Sequence, residues 1–206
     1  MTPIETPTRF GLVRHAPTAW NQAKRIQGQE DSPLTPEGGK RAEAWGKLLS
    51  RFSWDRIMTS DLGRASATAD LINQGLNVPV FRETRLREQD WGQWTGKTVS
   101  HVEAAYGEVP DHQKLTGWGF CPPGGESRAR VRERSCQALA DAAGTWPGET
   151  ILVVTHEGVI RCLVYGLLGR QYLPTEPRLF TSRALHWLRF DERGLGIEEV
   201  NAFKLD

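Results

Sequence analysis

Apolar and polar residues form alternating blocks along this chain, and the blocks predict strands and helices in turn. Short apolar stretches predict strands, and residues 150–155 are almost continuously apolar, as is typical of a strand buried on both faces. The predicted strands cover residues 9–15, 56–60, 78–81, 150–155, 183–190 and 196–200. The predicted helices cover residues 35–50, 62–74, 99–106 and 158–168, and about 17 residues that begin after Ser127.

The order of these elements predicts an α/β fold. Strands that alternate with helices favour a central, mostly parallel sheet, and the last two strands look like an antiparallel pair. The polar stretch 21–32 and most of residues 87–123 are predicted to be loops. No repeat, low-complexity tract or linker is visible, so we expect residues 1–206 to form one domain.

Composition and charge exclude several classes of protein. The 206 residues include 26 Lys and Arg against 25 Asp and Glu, so the chain lacks the bulk charge of a nucleic-acid binder. No apolar stretch approaches the roughly 20 residues of a membrane helix, and Met1–Glu5 shows no signal-peptide pattern. Three cysteines without a CxxC pair argue against a disulfide scaffold or a zinc cluster. We therefore expect a cytoplasmic protein that binds neither nucleic acid nor membranes.

Reactive polar side chains follow three of the predicted strands. Arg14 and His15 end the first strand, and Arg64 follows the second. His156 follows strand 150–155 directly. Because the carboxyl ends of parallel strands share one edge of a sheet, these side chains are expected to meet there. Two guanidinium groups and two imidazoles suit a phosphate, whose oxygens match guanidinium forks.

These residues lie in motifs that resemble those of the histidine phosphatase superfamily, the phosphoglycerate mutase-like proteins. The matching segments are VRHAPTAWN at 13–21, SDLGRASATA at 60–69, LRE followed by GQWTG within 86–96, PGGES at 123–127 and VVTH at 153–156. They occur in the family's order over roughly residues 9–170. The resemblance implies a three-layer α/β/α sandwich of the phosphoglycerate mutase-like kind.

The resemblance also implies a role for each site residue. His15 would be the nucleophile that forms a phosphohistidine, and Glu88 would protonate the leaving oxygen and then activate water. The side chains that hold the phosphoryl oxygens would be Arg14, Asn21, Arg64 and His156. The cationic side chains among them would take the place of a metal, so no metal or cofactor is expected.

Three positions raise questions about this assignment. Ala16 stands where the family usually has Gly, which costs on the order of 1 kcal/mol if the position needs a positive φ and little if it is extended. Glu157 follows His156 where small residues are common, and we expect it to point away from the phosphate. Asp90 is a second acid near Glu88, and we favour Glu88.

The segment from about residue 94 to 123 is predicted to be a small insert that sets specificity. Its aromatic residues would suit a ring or a sugar face, and they are Trp94, Tyr106, Trp118 and Phe120. Glu126 is expected to have a structural role at the start of the next helix. The arginines at 128, 130, 132 and 134 are expected to form a solvated helix face, although they could also steer anionic substrates.

The leading hypothesis is therefore a metal-independent phosphomonoesterase that acts on a small phosphorylated metabolite. A phosphoglycerate mutase is the alternative, but the short insert carries only Lys97 and Lys114 and lacks the paired arginines that a mutase would show. A non-catalytic phospholigand-binding protein is a third reading, which the presence of both His15 and Glu88 disfavours. The terminal strands offer an edge at which a homodimer could form.

Overall fold

The centre of the computed structural model, which describes residues 6–205, is one sheet with the strand order β3-β2-β4-β1-β5-β6. The strands are β1 (Thr8–Arg14), β2 (Arg56–Thr59), β3 (Val80–Arg82), β4 (Thr150–Thr155), β5 (Ala184–Asp191) and β6 (Gly194–Lys204). The first four are mutually parallel, whereas β5 is antiparallel to β1 and β6 is antiparallel to β5. The predicted mostly parallel sheet with an antiparallel terminal pair is confirmed. Residues 1–5, on which the signal-peptide prediction rests, lie outside the described residues.

Helices cover both faces of this sheet and complete the three-layer α/β/α arrangement. They are α1 (Ala19–Gln22), α2 (Pro36–Leu49), α3 (Gly63–Leu76), α4 (Val99–Tyr106), α5 (Val109–Lys114), α6 (Arg128–Thr145) and α7 (Glu157–Leu167). Alternate residues of a strand point to opposite faces. Accordingly, Leu12 of β1 belongs to the core under α6 and α7, and Val13 belongs to the core under α2 and α3.

The long helices begin at the polar residues that the sequence provides. Thr35 caps α2, because its hydroxyl accepts a hydrogen bond from the amide of Gly38 at 2.9 Å, and Pro36 occupies the first helical position. Ser127 caps α6 in the same manner. His156 occupies the N-cap position of α7 without a capping hydrogen bond from its side chain. One site residue therefore lies at a helix start while its ring stays available for other contacts.

Some element boundaries differ from the prediction. The short helix α1 replaces the first residues of the predicted loop 21–32, because Thr18 and Asn21 form a reciprocal capping box there. Helix α5 was not predicted, since its six residues are too few to show helical periodicity. Strand β3 is shorter than predicted, and β6 extends to Lys204.

The predicted insert has its own small core. It contains α4 and α5, and its Trp94, Val102 and Phe120 form a buried cluster separate from the two cores of the sheet. That the insert sets specificity stays a prediction, as does the single domain over residues 1–206. Of the helices found between residues 6 and 205, none has the length and apolar character needed to cross a membrane.

Candidate active site

Three loops meet at the carboxyl edge of the sheet, where the parallel strands β2, β4 and β1 lie side by side. The amide of His15 donates to the carbonyl of Thr155 at 2.9 Å, which ties the end of β1 to the end of β4. The rings of His15 and His156 consequently approach to 5.3 Å between centroids. The predicted convergence of these strand ends is therefore found in the structure.

His15 is buried, with 5% of its surface exposed, and its ring has a defined hydrogen bond. Nδ1 lies 2.8 Å from the carbonyl oxygen of Ala16, which can only accept, so Nδ1 carries the proton. In the neutral ring, Nε2 then carries the lone pair. Burial lowers the pKa of His15 well below its ordinary value, and the positive charges of Arg14 and Arg64 lower it further. The ring is therefore neutral and can act as a nucleophile at neutral pH.

Ala16 does not have the positive φ that would favour glycine. Its amide donates to the hydroxyl of Thr68 at 3.0 Å, and its methyl group is completely buried in the core under α2 and α3. Alanine is therefore accommodated at this position without backbone strain.

Arg64 lies in the first turn of α3 and is held by the loop before α2. Its Nη1 donates to the carbonyl of Glu30 at 2.7 Å and to Asp31 Oδ1 at 2.9 Å, and its Nη2 donates to the carbonyl of Gly28 at 2.7 Å. Its Nε is buried and has no hydrogen-bond partner. The guanidinium is thus fixed in position by three hydrogen bonds, while its Nε remains unused.

His156 shows the same combination of a fixed ring and an unused nitrogen. Its Nε2 lies 2.9 Å from the hydroxyl of Ser60, and its Nδ1 is buried without a partner. Burial lowers the pKa of His156 well below its ordinary value, and the positive charges of Arg64 and Arg14 act in the same direction. Buried polar atoms normally have partners. The orphaned atoms on His156 and Arg64 are suited to hold the oxygens of an anion.

Glu157 does not point away from the site, and the prediction that it would is wrong. Its Oε2 lies 2.5 Å from Nη1 of Arg14, and its Oε1 pairs with Arg178. The register of the sheet explains this contact, since Arg14 is paired with Thr155 and Glu157 begins the helix two residues later. A carboxylate therefore contacts one of the two arginines assigned to the phosphate.

Glu88 is held by two backbone amides. Its Oε1 accepts from Gln89 at 2.8 Å, and its Oε2 accepts from Gly158 at 3.1 Å, in the first turn of α7. Burial raises the pKa of Glu88 above its ordinary value, although these amides and the charges of Arg64 and Arg14 oppose the shift. A raised pKa keeps part of the carboxyl protonated at mildly acidic pH, as a general acid requires.

Asp90, the other acid near Glu88, accepts hydrogen bonds that hold the local backbone. Asp90 Oδ1 accepts from the amide of Gly92 at 2.8 Å, and the Asp90 carbonyl accepts from the amide of Glu126 at 2.9 Å. Asn21 lines a cavity together with Arg14 and His15. Its Oδ1 accepts from the amide of Thr18, so the amide nitrogen is the group left to donate.

The comparison with known families decides what kind of site this is. The model of the histidine phosphatase superfamily (branch 1) matches residues 10–202, which span every strand and helix that carries the site. The chain belongs to the histidine phosphatase superfamily. It is thus an enzyme that hydrolyses phosphate esters, as the resemblance implied.

The proteins similar to this chain are named either as phosphatases or as probable phosphoglycerate mutases. The chain is 39% identical over 163 residues to a probable phosphoglycerate mutase, GpmB, of Cronobacter sakazakii, covering 77% of this chain and 74% of that protein. It is 32% identical over 194 residues to an uncharacterized phosphatase, PhoE, of Bacillus subtilis, covering 94% of each. Among solved structures, a mycobacterial glucosyl-3-phosphoglycerate phosphatase in complex with VO3 superimposes with a TM-score of 0.83 at 26% identity, over 96% of this chain and 99% of that one.

Arg134 is a site residue of this histidine phosphatase that the sequence analysis missed. Its guanidinium pairs with Glu126 at 2.8 Å and donates to the carbonyl of Glu88 at 3.1 Å and to that of Arg85 at 2.6 Å. The prediction of a solvated face is therefore wrong for Arg134, whereas Arg130 and the neighbouring residue 132 are exposed. The helical period could have revealed this, because Arg134 lies three and four residues from buried positions of α6. Glu126 has a structural role, as expected, because its carboxylate pairs with Arg134.

Proposed function

We propose that this enzyme is a metal-independent phosphomonoesterase that works through a phosphohistidine on His15. The observation that supports this most directly is the His15 ring, which is buried, holds its Nδ1 proton on the Ala16 carbonyl and is surrounded by cationic groups. Such a ring presents a neutral Nε2 lone pair to a phosphorus atom whose oxygens are bound by positive charge. The groups that bind those oxygens are Arg14, Asn21, Arg64 and His156.

The first step transfers the phosphoryl group to the enzyme. Nε2 of His15 forms a bond to phosphorus as the bond between phosphorus and the ester oxygen breaks, and Glu88 gives its proton to that oxygen. In the second step a water molecule attacks phosphorus and passes a proton to the Glu88 carboxylate. The bond between phosphorus and Nε2 breaks, its electron pair returns to the ring, and orthophosphate leaves.

The activity is tested with small phosphomonoesters and EDTA, from pH 5 to pH 8. We expect release of phosphate that resists EDTA and disappears in H15A, together with an acid-labile phosphoenzyme that can be trapped from wild type by rapid quenching. Release of phosphate at an unchanged rate in H15A would refute the assignment of His15. Binding of phosphate without any turnover would favour the non-catalytic phospholigand-binding alternative.

A mutase is the second candidate, because the relatives in enterobacteria are named probable phosphoglycerate mutases. The structure also weakens one argument against it: Arg128 and Arg161 line a cavity next to the insert, so basic residues are present that the sequence analysis did not count. Turnover of 3-phosphoglycerate separates the two activities. Isomerisation that is faster than phosphate release would establish the mutase.

A further inference from the structure

A second cavity, of about 300 Å³, lies between the insert and the starts of α6 and α7. One wall is aromatic and consists of Trp91, Trp94 and Phe120. Its lining also includes Arg128, Arg161 and Tyr172. The cavity therefore combines an apolar surface with two guanidinium groups.

The cavity lies on the Glu88 side of the reaction centre. Trp91 follows Glu88 by three residues, and Arg161 lies one turn of α7 after Gly158, whose amide binds the Glu88 carboxylate. Burial raises the pKa of Tyr172, and the Glu88 carboxylate contributes in the same direction, so the two side chains lie within electrostatic reach. Because Glu88 is proposed to protonate the leaving oxygen, the leaving group of the substrate would extend into this cavity.

The two arginines are held rigidly by aromatic rings. The guanidinium carbon of Arg128 lies 4.1 Å from the ring centroids of both Phe120 and Tyr172. That of Arg161 lies 4.6 Å from Tyr172 and 4.9 Å from Tyr165. Both cations therefore share the ring of Tyr172, and a stacked guanidinium loses little further freedom when it binds a ligand.

Neither arginine has a carboxylate partner within residues 6–205. Arg128 uses Nη1 to donate to the carbonyls of Gly117 and Tyr172, and Nε of Arg161 is buried without a partner. Burial lowers the pKa of Arg128, and the positive charge of Arg161 contributes to this shift. Both guanidinium groups lie over the Tyr172 ring, and like charges in an apolar cavity are unfavourable until an anion joins them.

The remaining charged groups of the cavity do not supply that anion. Lys114 lines it from α5 but pairs with Asp111 at 2.7 Å, and Glu103 lines it from α4, so the two guanidinium groups remain against one carboxylate. The cavity keeps a net positive charge, and its aromatic wall favours an apolar or planar body.

Building on the phosphomonoesterase function above, we propose that this cavity binds the leaving group of the substrate and that Arg128 and Arg161 bind a carboxylate carried by it. The substrate class is then a phosphomonoester whose alcohol part combines an apolar or aromatic body with a carboxylate. The phosphoryl group binds at His15, and the carboxylate binds at the far end of the same molecule.

The test uses matched aryl phosphates. The ortho, meta and para isomers of carboxyphenyl phosphate are compared with the corresponding carbamoylphenyl phosphates, which have the same shape without the charge. Each is measured with wild type, R128Q, R161Q and R130Q, the last being an exposed arginine of the same helix that loses the same charge. The quantity of interest is the ratio of kcat/KM for the carboxyl ester to that for the carbamoyl ester.

We expect wild type and R130Q to prefer at least one carboxyl isomer by about tenfold or more, which is the typical effect of hydrogen bonds to a charged group. In R128Q and in R161Q the ratio falls towards one, while inhibition by inorganic phosphate is unchanged. Equal ratios in wild type and in these variants, or no preference in wild type, would overturn the proposal. If no ester is hydrolysed, the phosphomonoesterase function fails instead, and calorimetric binding of the same ester pairs to wild type and R161Q then decides whether the cavity binds carboxylates.

Discussion

Arg14 and Glu157 form an ion pair of 2.5 Å across the ends of the two central strands. The contact joins a proposed phosphate ligand to a carboxylate, and both side chains are about one quarter exposed, at 26% and 25%. Glu157 is shared, because Arg178 binds its other oxygen. In the proposed site, the strength with which Arg14 binds a phosphoryl group would therefore depend on how Glu157 divides its charge between the two arginines.

Removing the charge of Glu157 is expected to strengthen phosphate binding. In E157Q, the inhibition constant of inorganic phosphate should fall about fivefold, which corresponds to about 1 kcal/mol for a partly exposed pair. The matched control is R178Q, in which Glu157 pairs with Arg14 alone. This variant should raise the inhibition constant of inorganic phosphate. Steady-state inhibition measures both, and a shift in the same direction in the two variants would contradict this account.

Gly158 is expected to be essential for the position of Glu88. A Cβ at residue 158 would lie 2.2 Å from Oε1 of Glu88, so G158A must displace that carboxylate. We expect kcat to fall about 10²-fold, the typical effect of misplacing a reacting group by about 1 Å. Inhibition by phosphate should stay unchanged.

The control is G144A in α6, where a Cβ meets nothing within 4 Å. This change should leave kcat unaltered and raise the free energy of unfolding by about 0.5–1 kcal/mol, because alanine favours a helix. Normal kcat in G158A would show that Glu88 does not need its present position.

The pH dependence follows from the two shifted groups. The proposed phosphoryl transfer needs a neutral His15, so it requires a pH above the lowered pKa of His15. It also needs a protonated Glu88, so it requires a pH below the raised pKa of Glu88. With ordinary pKa values, near 6.5 for His and 4.3 for Glu, a neutral His and a protonated Glu would hardly coexist. Burial lowers the pKa of His15 and raises the pKa of Glu88, so the two pKa values move towards each other.

We therefore expect a bell-shaped profile of kcat/KM with its optimum on the acidic side of neutrality. E88Q should lower kcat by about 10²–10⁴-fold for a poor leaving group and remove the alkaline limb. D90N should retain the profile, because Asp90 holds a turn rather than the reaction centre. If the alkaline limb persists in E88Q but vanishes in D90N, then Asp90 rather than Glu88 is the general acid.

Arg134 is expected to stabilise both the fold and the position of Glu88. R134M leaves the largely buried carboxylate of Glu126 unpaired, and the free energy of unfolding should fall by about 2 kcal/mol. The double variant E126Q/R134M should recover part of this loss, and the exposed control R130M should change little. Urea unfolding of the four proteins measures the effect, and a fall in R130M as large as that in R134M would contradict it.

The sequence could predict the parts of the site that the sheet itself positions. Arg14, His15 and His156 end or follow adjacent parallel strands, and strand ends converge whatever the loops do. Glu88 lies in a loop, and only the resemblance to the family indicated it. Its position depends on the amide of Gly158, 70 residues away along the chain, which no local pattern encodes.

The errors concern charged side chains, whose partners depend on tertiary structure. Glu157 was expected to face outward because small residues are common at this position in the family. Its partner Arg14 lies 143 residues away along the chain, so no local pattern shows the contact. The arginines of α6 were treated as a single group. The helical period separates Arg128 and Arg134 from Arg130, but only the structure shows that the first two meet Tyr172 and Glu126.

The backbone hydrogen bonds at the strand ends have a consequence for how the protein loses activity. His15 and Ser60 directly follow β1 and β2, and their amides donate to carbonyls of β4. Their exchange with solvent deuterium requires these hydrogen bonds to β4 to open, and core strands have the highest opening free energies, up to that of global unfolding. We therefore expect the proposed nucleophile, His15, to be among the last parts of the molecule to become disordered on heating, so that inactivation coincides with cooperative melting of the sheet.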